Sequence, residues 1–77
     1  MNNLAKKFEK EKLIVDLVDN ANKDTIAGMA ILNAIISRKF TTDRILRYVQ
    51  EQAQDSPKTM CACIGKELTN RILQIKL

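Results

Sequence analysis

Apolar positions along this chain recur at three- and four-residue spacing and nowhere alternate for long, a pattern that predicts helix throughout. The first predicted helix spans residues 3–19, with Asn2 or Asn3 as its N-cap. Leu4, Phe8, Val15 and Val18 share one face of it, and Leu13, Ile14 and Leu17 widen that face in the second half. Turn formers follow from Asp19 to Lys23, and Asp24 is the expected cap of a second helix over 25–39. There Ile26, Met29, Ile31, Leu32, Ile35 and Ile36, with Ala27, Ala30 and Ala34, cover the whole circumference, which predicts burial on all sides.

Thr41, Thr42 and Asp43 cap a third helix over 42–54. Its inner arc is Ile45, Leu46, Val49 and Ala53, flanked by Tyr48, and its outer arc is Asp43, Arg47, Gln50, Glu51 and Gln54, with Arg47 and Glu51 spaced to pair. Ser56 and Pro57 start a fourth helix over 57–76, on which Met60, Cys61, Ile64, Leu68, Ile72 and Ile75 form one stripe. The expected fold is therefore all-α, a compact bundle of about four helices forming one domain over 1–77.

Composition sharpens this picture. A chain of 77 residues has room for one small core, which typically supplies only a few kcal/mol of net stability, so a dimer is expected. The surface assigned to self-association or to a partner comprises Ala27, Gly28, Ile31 and Ile35, where small residues permit close helix approach, and Leu73 and Leu77, which fall off the stripe of the last helix. Gly28 and Gly65 each stand alone within an apolar helical pattern, and close helix packing is the expected reason for both.

The chain contains no His and no Trp, which removes the usual general base and the commonest metal ligand. Cys61 and Cys63 supply two of the four ligands a structural zinc needs, and at their spacing on a helix they cannot bridge each other. Cys61 falls on the apolar stripe and is expected in the core; Cys63 is expected at its far margin. No enzyme activity, cofactor or metal is expected. Free thiols suit a reducing compartment, and the longest apolar run, Ile26 to Ile36, is about half of what a membrane span requires, so a cytoplasmic location is expected. The N-terminal stretch does not read as a signal peptide, and Glu9 and Glu11 interrupt its basic face, which argues against membrane binding.

Charge adds the remaining signal. The net charge is +4, with residues 1–12 at +2, 13–24 at −2, 25–50 at +3, 51–58 at −1 and 66–76 at +2. Arg38, Lys39, Arg44 and Arg47 form the densest basic cluster. The expected function is that of a small non-enzymatic regulator, inhibitor or adaptor binding proteins through helical surfaces. The alternative is a basic nucleic-acid-binding regulator, with residues 34–54 laid out as a helix-turn-helix and Thr42, Asp43, Arg44, Arg47 and Gln50 turned to the major groove.

Overall fold

A computed structural model of the chain describes residues 3–77. It is all-helical, with the order α1 (Asn3–Asn20), α2 (Ile26–Ser37), α3 (Thr42–Asp55), α4 (Pro57–Ile64) and α5 (Lys66–Gln74). The N-cap expected at Asn2 lies outside the described residues, and Asn3 already belongs to the helix.

Five helices appear where four were expected because the last one breaks at Gly65. This glycine adopts φ 90° and ψ 153°, a conformation essentially reserved for glycine, and a side chain there would meet nothing within 4 Å. Its role is conformational, and the close packing expected of it is absent. The break turns α5 back along α1, where Arg71 Nη1 lies 3.0 Å from Asp16 Oδ2. That oxygen is shielded from solvent and makes no hydrogen bond, so charge alone holds it. Thr69, the single buried polar residue described, directs its hydroxyl to the Gly65 carbonyl at 2.7 Å.

Gln50, expected on the outer arc of α3, instead points inward. Its Nε2 donates to the carbonyls of Ile72 (3.0 Å) and Ile75 (2.8 Å), groups left unpaired where α5 ends. The expected pairing of Arg47 with Glu51 does not form: the ion pairs among the described residues are Lys10–Asp43 and Asp16–Arg71.

The core gathers Leu13, Leu17 and Ala21 of α1 and its end, Ile31 and Leu32 of α2, the whole expected arc of α3, and Met60, Cys63, Ile64, Leu68 and Ile72. Two expectations reverse here. On α1, Leu13 and Leu17 are buried and Ile14 partly so, as expected, whereas Leu4, Phe8, Val15 and Val18, expected on the same inward face, are exposed. On α4, Cys63 is buried and Cys61 only partly so. The cause is the turn between α1 and α2, which docks against the end of α4: the Asn22 N–H donates to the Cys63 carbonyl at 2.8 Å, and the Thr25 hydroxyl lies 3.8 Å from Cys63 Sγ. Cys63→Val and Cys63→Ala are accordingly expected to lower stability by about 1–2 kcal/mol, and Cys61→Ala by less than about 0.5 kcal/mol. Urea denaturation checks this; equal midpoints for the two alanine variants would contradict the placement.

Candidate binding surface

The N-cap of α2 is Thr25 rather than Asp24: its hydroxyl accepts the Gly28 N–H at 2.9 Å and donates to the Asn22 carbonyl at 2.8 Å. The helix this turn launches is buried along one side only. Gly28, Ile31 and Leu32 face inward, whereas Ile26 is 84% and Ile36 71% exposed, with Met29 also in solvent. A helix apolar around its circumference was expected to be covered by neighbours all round. The remaining helices cover one side, because α1, α3 and α4 pack against α2 and leave its outer face uncovered among the described residues.

The exposed side chains of α1 add a second apolar row. Leu4 (65% exposed), Phe8 (62%), Val15 and Val18 recur at helical spacing and form one stripe on α1, on the side away from the buried Leu13 and Leu17. An exposed apolar side chain is ordinary when it stands alone; a row of them along one helix is not.

Of the residues assigned to self-association from the sequence, Gly28 and Ile31 are buried within the chain itself. Ala27, Ile35, Leu73 and Leu77 are half-buried against the same core. The structure therefore keeps α2 as the helix that carries the surface, but turns a different arc of it outward. Period alone could not show which arc, since every arc of α2 is apolar.

Arg38, Lys39, Arg44 and Arg47 are exposed, and none is in an ion pair among the described residues. Lys10 reaches Asp43 at 3.0 Å, which sets the first half of α1 beside the start of α3. Lys6, Lys7 and Lys10 line a cleft there with Glu11, Thr42 and Asp43, and Lys76 shares a second cleft with Lys6, Glu9 and Lys10. The N-terminal lysines and Lys76 thus meet, with acids among them, a feature invisible without the antiparallel course of α1 and α5. Three of the five side chains of the helix-turn-helix layout are engaged within the protein: Asp43 with Lys10, Arg44 over the Phe40 ring, and Gln50 with the end of α5.

No protein-family model, curated protein or solved structure matches this chain.

Proposed function

We propose that the protein is a small non-enzymatic adaptor or regulator that acts by binding protein through the outward apolar face of α1 and α2, and that this face pairs with its copy in a second chain. The observation that carries the reading is the exposure of Ile26, Met29 and Ile36 on α2 and of Leu4, Phe8, Val15 and Val18 on α1. Each large apolar side chain left in water forgoes about 1.5–3 kcal/mol that burial would return, which is substantial beside the few kcal/mol of a core this small.

A two-fold dimer is the commonest way for one apolar face to cover another. The non-enzymatic part rests on a sequence without His and on thiols expected to pack rather than react.

Sedimentation equilibrium tests the pairing. A dimer at micromolar concentration, dissociating on dilution, is the expected result; a monomer at every concentration would remove self-association from the account.

A further inference from the structure

On its α3 side, α2 borders a shallow open groove of about 280 Å³, lined by Ala30, Ala34, Phe40, Arg44, Ile45 and Tyr48. Ala30 and Ala34 lie roughly 100° or more around the helix from Met29 and Ile36, and Ile26 lies about 40° from Ala30, so the groove looks away from Met29 and Ile36 and borders Ile26. We propose that this groove docks an acidic amphipathic helix of another protein. Apolar side chains of that helix enter between the two alanines and the rings of Phe40 and Tyr48, and its flanking carboxylates meet Arg44, Arg47, Arg38 and Lys39. The proposal rests on reading the chain as a protein-binding module, but it concerns a second face and a different partner.

Shape is the first argument. The walls are apolar except for the Arg44 head and the Tyr48 hydroxyl, and both rings stand about half exposed. The volume falls at the lower edge of pockets that enclose small molecules, and the groove is open, so it suits a few inserted side chains rather than an engulfed ligand. Alanines on the α2 wall let another helix approach closely, as in the recognition of a helix laid in a groove.

Charge complementarity selects the occupant. Arg44 lines the groove itself, Arg38 and Lys39 form the turn that joins the α2 wall to Phe40, and Arg47 lies beyond Arg44 on the outer side of α3. None of the four is in an ion pair among the described residues, and the acid nearest in sequence, Asp43, is already held by Lys10 at 3.0 Å. The Arg44 guanidinium stacks over Phe40, 5.3 Å from the ring centroid, which fixes it at the rim with donors free for a carboxylate. An apolar floor with Arg44 at its edge and a basic turn next to it is the complement of a helix with an apolar face and acidic flanks. A duplex would leave the floor unused, and a membrane would meet a concavity.

The backbone supplies a third argument. Arg38 sits at φ 57°, ψ 22°, the left-handed position that ends α2 and that glycine occupies at least cost. Arg38 thus keeps its charge in the turn next to the groove at a position glycine would occupy at less cost, which fits a use for that charge.

The test pans the full chain against a display library of helix-compatible peptides several turns long, then maps the enriched peptide by amide shift changes and measures its affinity. Enriched sequences are expected to be acidic, with apolar residues at three- and four-residue spacing, and to shift Ala30, Ala34, Phe40 and Tyr48. Arg44→Glu should weaken binding about tenfold or more, and Ala34→Phe, which fills the groove from a half-exposed position, should abolish it while leaving the fold intact by circular dichroism. Arg38→Gly carries the sharpest expectation, because it should raise the melting temperature and weaken binding together. Binding should survive in Met29→Gln/Ile36→Gln, which separates failure of this groove from failure of the pairing face. No enrichment, enrichment of basic peptides, shifts confined to the outer face of α1 and α2, or stronger competition for the groove by a DNA duplex or by phosphatidylglycerol vesicles would each overturn the proposal.

Discussion

Gly28→Ala is expected to unfold a large fraction of the protein, although alanine is the better helix former by about 1 kcal/mol. A Cβ at position 28 would lie 2.7 Å from the Asn22 carbonyl carbon and 2.7 Å from Thr25 Oγ1, and closer still to the Asn22 carbonyl oxygen. The neighbour cannot retreat. That oxygen accepts both the Thr25 N–H (3.1 Å) and the Thr25 hydroxyl (2.8 Å), while the Asn22 N–H anchors the turn to Cys63 at 2.8 Å. Moving the turn therefore breaks the α2 cap and the α4 contact together. Overpacking against backbone costs about 3 kcal/mol or more, which exceeds the propensity gain and consumes much of the stability of a domain this small. Urea denaturation would show a large fall in midpoint; an unchanged or raised midpoint would mean that the turn yields.

The second large effect is on association. Ile26→Asp combined with Ile36→Gln is expected to raise the dimer dissociation constant roughly a thousandfold or more, since a two-fold interface loses each isoleucine twice and each is worth about 1.5–3 kcal/mol when buried. The fold should be nearly untouched. Both side chains are exposed, Asp at the first residue of α2 complements the helix dipole, and Gln is a good helix former. Sedimentation equilibrium of the double variant checks this, with circular dichroism as the control. A variant that still dimerises as tightly as the unaltered chain would place the interface elsewhere.

How much of this was legible in the sequence varied from helix to helix. In α3, charged residues mark one side, so the inner arc of Ile45, Leu46, Val49 and Ala53 and the Thr41 cap followed directly from spacing and turn chemistry. In α1, Leu4, Phe8, Val15 and Val18 compete with Leu13 and Leu17 for the core, and periodicity gives both faces the same claim. What decides is the chain that follows: α5 returns along α1 to pair Arg71 with Asp16, a course set by the Gly65 break. A glycine within an apolar helical pattern reads alike whether it permits a close approach, as at Gly28, or a left-handed turn, as at Gly65. The basic cluster was legible as a run of charge, but the groove beside it needed α2 and α3 brought together.

The pairing face of α1 and α2 is tested most directly by nuclear Overhauser spectra filtered for contacts between isotope-labelled and unlabelled chains mixed in equal amounts. Contacts from the methyl groups of Ile26, Met29 and Ile36, and of Val15 and Val18, to the second copy are the expected result. Intermolecular contacts that leave these methyl groups silent and arise from α3, α4 or α5 would contradict the account.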